Sequence, residues 1–548
     1  MYVVSYEFTL TKNESRKTKH VLHSITYGST VYQDFSSIFS SFISTHSHSK
    51  QFKHKNQTQP SSMAKHNNNN NIIMFPFMAQ GHLIPFLSLS LQLEQKGYKI
   101  TFINTPLNVA NLRRTLPPSS TIHFVEIPFN PTDHNLPPNC ENTDTLPPNR
   151  IYDLLVASTA LQPAFQNILN DLVAAETPPF CVVADFFFGW SAAVSHEFGI
   201  CHVIFSGSSG FGLACYFSSW INLPHKNSEN GEFMLPDFKE AGKLQVTQLT
   251  PSLVAATGVD PWSKFQKKNL PEWAEADGFL FNTIEKLDEV GLSYFRRKFG
   301  RPVWAVGPIN LPVSGGSPTR KNEKWLQFLN SKPASSVLYI SFGSQNTITA
   351  SQMMQLAKAL DKSNKSFIWV VRPPLGFDIN AEFKPEDWLP ENFMTKIEDE
   401  NRGLIVEKWA PQIDILSHES VGGFMTHCGW NSVLESLSCG VPMLGWPMAA
   451  EQFYNAKMMV EIANVCVEVA RGTSFDVWSE DLREKIEEVM SEDGKGKEMR
   501  KKAFEIKMMI EEAMRDEEGF KGSSVEAMEE FLQAPLLMKM KQNNVTRT

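Results

Sequence analysis

No apolar run in these 548 residues approaches the roughly 20 that a membrane-spanning helix requires, so no membrane span is expected. The C-terminal stretch FLQAPLLMKMKQNNVTRT is too short and too basic for an anchor. Cysteine is sparse. The seven residues (Cys140, Cys181, Cys201, Cys215, Cys428, Cys439 and Cys466) are odd in number, scattered and never in CxxC spacing, and most sit in apolar runs such as FCVVADFFFGW. Buried thiols in a reducing compartment follow, which makes the cytoplasm the expected location. No Gly-x-Gly-x-x-Gly stands at a strand-to-helix corner, which argues against a nucleotide-dependent oxidoreductase. A Gly-x-Ser-x-Gly elbow is missing as well, since GSSG at Gly207–Gly210 has the wrong spacing. Neither an Asp-x-Asp pair nor a His/Cys cluster is present to hold a metal, so none is expected as a cofactor.

Clustered positive charge is also lacking. The net charge is −8, and residues 1–71 carry eight Lys/Arg against three Asp/Glu, so the rest of the chain stands near −13. So acidic a body makes nucleic acid an improbable partner, because phosphate neutralisation needs grouped Lys and Arg. What is there is ordinary globular material, 42% hydrophobic and 20% charged, in a chain too long for one core.

Residues 1–71, rich in Ser, Thr, His, Lys and Asn and ending in NNNNN, have too little apolar surface to offset ordering entropy and read as a disordered or non-native extension. Their composition loosely suits a transit peptide. The favoured reading is that Met63, in SSMAKHNNNNN, is the natural first residue. From Ile72 a βαβ grammar begins: IIMFPF as strand, AQGH as loop, LIPFLSLSLQLEQKG as a helix stopping at Gly97, then YKITFINT as strand. TIHFVEIPF and CVVADFFF follow as strands. The Gly/Pro/Ser-rich NLPVSGGSPTRKNE (310–323) is the linker candidate, after which SVLYISFGS, SFIWVVR, LIVEKWA and VGGFMTH restart the pattern. The fold class expected is α/β, with two Rossmann-like domains, 72–309 and 324–535, facing one another across a cleft at their strand ends, and 536–548 as a tail. The last helices are read as surface-amphipathic.

The stretch THCGWNSVLES concentrates polar groups just after an apolar strand. His427 ends the strand while Asn431 and Ser432 open a helix, a corner where unsatisfied N–H groups and the helix dipole seat phosphate. Gly429 permits close backbone approach. Glu435, at i+4 from Asn431, shares its face and could grip ribose hydroxyls. The competing reading is that Asn431 and Ser432 merely cap the helix.

Two further residues stand alone. His82 sits at the start of a helix, whose dipole is expected to lower its proton affinity and keep it neutral near pH 7, fit to accept a proton. Asp185, a lone carboxylate at the end of an apolar strand, needs a cation or N–H donor. A loop residue making one structural hydrogen bond is the plain alternative for His82.

The full segment WAPQIDILSHESVGGFMTHCGWNSVLESLSCGVPMLGWPMAAEQ, from Trp409 to Gln452, resembles the signature box of plant secondary-product glycosyltransferases, the UDP-sugar-dependent family with the GT-B fold. FPFMAQGHLIP and WLQFLNSKPASSVLYISFGS extend the likeness over nearly the whole chain from Ile72. The resemblance implies that Trp409 stacks on uracil, with Ala410 and Gln412 at the base and ribose edges. It implies Glu435 on the ribose, and His427, Asn431, Ser432 and the Gly343-Ser344 turn on the diphosphate. Trp430 through its backbone, Glu451 and Gln452 would read the sugar. His82 would be the base that Asp185 orients, as in a triad.

The implied reaction is one in-line displacement, with inversion, from a UDP-sugar to a hydroxyl of a small lipophilic acceptor such as a flavonoid, phenolic or terpenoid. UDP-glucose leads, with UDP-galactose, UDP-xylose and UDP-rhamnose open. The alternative is an inactive UDP-sugar-binding protein. A monomer is expected. The acceptor should lie near Phe186, Phe187, Phe188 and Trp190, of which Phe187 and Trp190 are better read as core. The polar loops from Asn130 to Arg150 and from Asn222 to Thr250 are candidates for shaping its site.

Overall fold

The computed structural model describes residues 70–146, 150–309, 323–379 and 381–545. In the first lobe, strands β1 (Asn71–Phe75), β2 (Lys99–Asn104), β3 (His123–Glu126), β4 (Cys181–Asp185), β5 (Cys201–Ser206), β6 (Gly278–Phe281) and β7 (Val303–Ala305) form one sheet in the order β3-β2-β1-β4-β5-β6-β7. Every pairing is parallel. The central strands are buried along nearly their whole length, as continuous apolar runs such as IIMF and CVVA demand of a sheet covered on both faces. Helix α1 (Gln80–Gln95) follows β1, and the chain leaves it through Gly97 at φ +89°. Helix α2 (Gly210–Asn222) is capped by Ser209, and the buried Asp288 carboxylate accepts from the Gly210 and Phe211 N–H groups at 2.6 and 2.9 Å. Asp260 caps α3 (Pro261–Glu272) with Pro261 at its first position.

The second lobe repeats the plan with β8 (Val337–Ser341), β9 (Ser366–Val371), β10 (Gly403–Glu407), β11 (Val421–Thr426), β12 (Met443–Gly445) and β13 (Cys466–Glu468), ordered β10-β9-β8-β11-β12-β13 and again all parallel. Helix α4 (Trp430–Cys439) follows β11, and α5 (Gln452–Lys457) follows β12. After α6 (Gly494–Met514) the chain crosses back. Helix α7 (Ser523–Val545) packs on β7 of the first lobe, with Met528, Phe531 and Leu532 in that lobe's core and Ser524 Oγ donating to Gly307 O at 2.6 Å.

Each sheet reverses its strand order once, between β1 and β4 in the first lobe and between β8 and β11 in the second. Such switch points are where parallel sheets open a crevice at their strand ends. Here both open into one cleft of about 3960 Å³. The lobes also touch directly: the Trp430 indole donates to Asn282 O at 2.7 Å, Ser209 Oγ to Asn455 Oδ1 at 2.8 Å, and Lys457 Nζ to Lys243 O at 2.7 Å.

Some expectations shift by a few residues. The first strand begins at Asn71, Gln80 to His82 form the first turn of α1 and not a loop, and α7 carries the C-terminal region as helix to Val545 where 536–548 is predicted as a tail. Nearly all of the predicted linker (310–323) and of the N-terminal extension lies outside the described residues. No described helix is long and apolar enough to cross a membrane. All seven cysteines are thiols.

Candidate active site

The ends of β1 and β4 bring together the two residues that stood alone in the sequence. His82 Nδ1 lies 2.7 Å from Asp185 Oδ2, while Asp185 Oδ1 accepts from the Phe187 N–H at 3.0 Å. Asp185 is fully buried, so both donors it needs are in place. The His82 side chain keeps 21% of its surface exposed. It is flanked by the rings of Phe77, Phe186 and Phe187 at centroid distances of 5.6, 5.3 and 5.5 Å. Burial pulls its proton affinity down, but the charge and hydrogen bond of Asp185, helped by Glu451, outweigh that and leave the pKa above the usual 6.5. This corrects the expectation of a depressed value. A carboxylate in direct contact outranks the partial charge of a helix end.

Across the cleft, the strand-to-helix corner after β11 holds the other cluster. Gly429 is the N-cap of α4 and no side chain caps it, so Asn431 and Ser432 are not the helix's caps. The His427 ring is wedged between two glycines. A Cβ on Gly429 would lie 2.4 Å from its Nε2, and one on Gly343 (φ +80°) 2.8 Å from its Cε1. Burial pulls His427 down to about 4, so it is a neutral imidazole, and its Nδ1 is buried with no partner among the described residues. One neutral N–H beside a helix N-terminus suits an anion without bringing a second fixed charge.

Glu435 lies one turn along α4. Gln412 Nε2 donates to Glu435 Oε2 at 2.6 Å and to Ser432 Oγ at 2.9 Å, and Tyr339 OH reaches Gln412 Oε1 at 3.4 Å. Burial pushes Glu435 up to about 7, against the pull of the Gln412 bond. Trp409, half-buried between Lys408 and the buried Ala410, lines the same cleft. Gln452 Oε1 accepts from the Met448 and Ala449 N–H groups, both at 2.9 Å, so only its NH2 can address a ligand. Glu451 and the exposed Ser344 complete this wall. Twelve of the thirteen predicted site residues line one cleft, eleven on the second lobe and His82 on the first, and the thirteenth, Asp185, is buried and hydrogen-bonded to His82.

Of the four predicted acceptor-side aromatics, Phe186 and Phe187 line the cleft, whereas Phe188 and Trp190 are core. Phe187 thus belongs to the wall, contrary to its reading as core. Of the first loop, Pro137 to Cys140, Thr143, Asp144 and Leu146 contribute to the wall; of the second, Thr250 does, while 232–234 and 243–245 pair as a short antiparallel hairpin. Sequence reasoning missed Thr143 and Asp144, which accept from Gln345 of the second lobe, and Asn282 and Asn455, which join the lobes. None carries a local signal.

Two parallel-sheet lobes meeting at their strand ends, with an imidazole–carboxylate pair facing an anion cradle, define the GT-B class of glycosyltransferase. The profile described as "Glycosyltransferase, N-terminal domain" matches residues 68–311, and that of "UDP-glucoronosyl and UDP-glucosyl transferase" matches residues 293–503. UDP-glycosyltransferase 92A1 of Arabidopsis thaliana is 48% identical over 86% of this chain and 98% of its own. Crocetin glucosyltransferase 3 of Crocus sativus is 40% identical over 78% and 91%. A solved structure of Glycyrrhiza uralensis UGT73P12, complexed with glycyrrhetinic acid 3-O-monoglucuronide, superposes with a TM-score of 0.73 at 27% identity, covering 87% of this chain and 98% of that one. The chain belongs to the plant UDP-glycosyltransferase family, and it is an enzyme of that activity.

Proposed function

We propose that the enzyme transfers glucose from UDP-glucose, with inversion, to a hydroxyl of a small lipophilic acceptor in the cytoplasm. The observation that carries this reading is the His82–Asp185 pair at 2.7 Å on one lobe, looking across the cleft at His427 and the N-terminus of α4 on the other. His82 Nε2 takes the acceptor's proton as its oxygen attacks the anomeric carbon from the face opposite UDP. Asp185 holds the ring through Nδ1 and stabilises the imidazolium. The departing diphosphate is met by the first amides of α4, the neutral His427, Asn431, Ser432 and Ser344. Trp409 stacks on uracil beside Ala410 and Gln412, Glu435 takes the ribose hydroxyls, and Trp430 (by its backbone), Glu451 and Gln452 bind the sugar.

The pair and the cradle belong to different lobes, an arrangement that supports a single displacement with base and leaving group on opposite sides of the transferred carbon. One chain carries both halves of the site, which supports a monomer as the working form. The thiol state of all seven cysteines suits a reducing compartment. The deciding experiment incubates the purified protein with a panel of UDP-sugars and mixed phenolic, flavonoid and terpenoid alcohols. Mass spectrometry should show hexosylated products from UDP-glucose, and NMR a β-glycosidic bond. An α-linked product, or UDP release without a glycoside, refutes this reading.

A further inference from the structure

The acceptor side of the cleft is walled by Phe187, by Leu213, Tyr216 and Trp220 of α2, and by Trp262 of α3. The spacing 213, 216, 220 places three side chains on one helical face. Trp220 stacks on Trp262 at 6.0 Å with 20° between the planes, and Phe187 packs on His82. None of these five residues is charged, and flat rings dominate. Of these five residues, Tyr216 has a hydroxyl whose hydrogen-bond partner is defined.

That hydroxyl accepts a 2.5 Å hydrogen bond from Gln266 Nε2, and Gln266 is fully buried on α3. In this orientation of the Gln266 amide, which leaves Gln266 Oε1 buried without a partner among the described residues, the phenol oxygen accepts and its own proton is left to donate. Tyr216 lies on the helix face that approaches Glu451. Gly212 precedes it by four residues on the same face of α2, and a Cβ there would lie 3.5 Å from Glu451 Cγ. The Glu451 charge raises the proton affinity of both His82 and Tyr216. Burial, foremost, with the charges of Tyr454 and Glu451, keeps the phenol protonated at every working pH.

Resting on the reading of His82 as the base for an acceptor hydroxyl, we infer that Tyr216 sets acceptor specificity by donating its O–H to a carbonyl oxygen of a neutral, flat acceptor, with Gln266 as the residue that positions it. A site built to hydrogen-bond one group discriminates strongly against an analogue that lacks it. An acceptor with a ring ketone and a remote hydroxyl fills both requirements, with stacking on Phe187 and Trp262 between them.

The test uses 7-hydroxyflavone and 7-hydroxyflavan as acceptors for the full-length enzyme with UDP-glucose; the ring carbonyl that separates them also flattens the heterocycle and acidifies the 7-hydroxyl, so the quantity read is the change in their ratio between wild type and Tyr216→Phe. Wild type should favour the flavone in kcat/KM by roughly tenfold or more, the worth of one hydrogen bond. Tyr216→Phe should lose that preference, chiefly through KM for the flavone, while the flavan is almost unaffected. Gln266→Leu should lower the preference without abolishing turnover. UDP affinity, measured by calorimetry, should be unchanged in both variants. Equal loss on the two acceptors, an unchanged ratio, or transfer to neither flavonoid while other alcohols are glucosylated overturns the assignment of Tyr216 alone. Failure of the glycosyltransfer reading looks different: the wild type would glycosylate no acceptor of any class.

Discussion

His82 carries the most sharply defined chemistry in the molecule, because its state depends on one contact. In its proposed role as base it works only when deprotonated, and Asp185 and Glu451 hold its pKa above 6.5. The rate must therefore rise with pH as the proton leaves, and the acid limb of kcat/KM is expected to have its midpoint above 6.5. His82→Ala should lower turnover roughly 10²- to 10⁴-fold while leaving UDP binding, measured by calorimetry, nearly intact. Asp185→Asn removes the charge that raises the pKa. Its residual activity should titrate at lower pH, and a limb that stays put would deny Asp185 its electrostatic role. The sequence showed where His82 stands on its helix but not its proton affinity. That is set by a carboxylate 103 residues away in the chain, which only the sheet's register brings into contact.

At the scale of elements, the corner between β11 and α4 depends on two glycines clamping one imidazole. Gly429→Ala places a methyl 2.4 Å from His427 Nε2, so the ring must move or the corner must open. UDP affinity should fall on the order of ten- to a hundredfold, the cost of losing one or two hydrogen bonds to a charged group. The melting temperature of the unliganded enzyme should change far less. This corner was legible because its parts are contiguous: strand, glycine, polar cluster and helix occupy eleven consecutive residues from Thr426 to Ser436. The strands were legible for the same reason, as local apolar runs. What joins the lobes was not. Trp430 meets Asn282 across 148 residues and Gln345 meets Asp144 across 201, and no periodicity records a contact between elements so far apart. Phe187 shows the same limit, since a run of three phenylalanines does not say which of them faces the cleft.

Over the whole molecule, the C-terminal helix α7 belongs by sequence to the second half and by packing to the first. Phe531 is fully buried there and meets the Trp304 ring of β7 at 5.7 Å. Phe531→Ala should cost about 3–5 kcal/mol, the usual range for emptying a core aromatic site. Thermal unfolding followed by circular dichroism should show the loss. UDP, proposed to bind the second lobe, should raise the melting temperature of this variant by about as much as it does that of wild type.

The return of α7 also constrains how the halves can move. The polypeptide passes from one to the other after Ile309 and comes back after Met514, so they are joined by two straps. A single strap permits twisting in any direction, whereas two define an axis, like a door hung on a pair of pins. Any opening that admits a nucleotide sugar is therefore expected to swing about that line, so that the proposed base returns to the same place over the cleft.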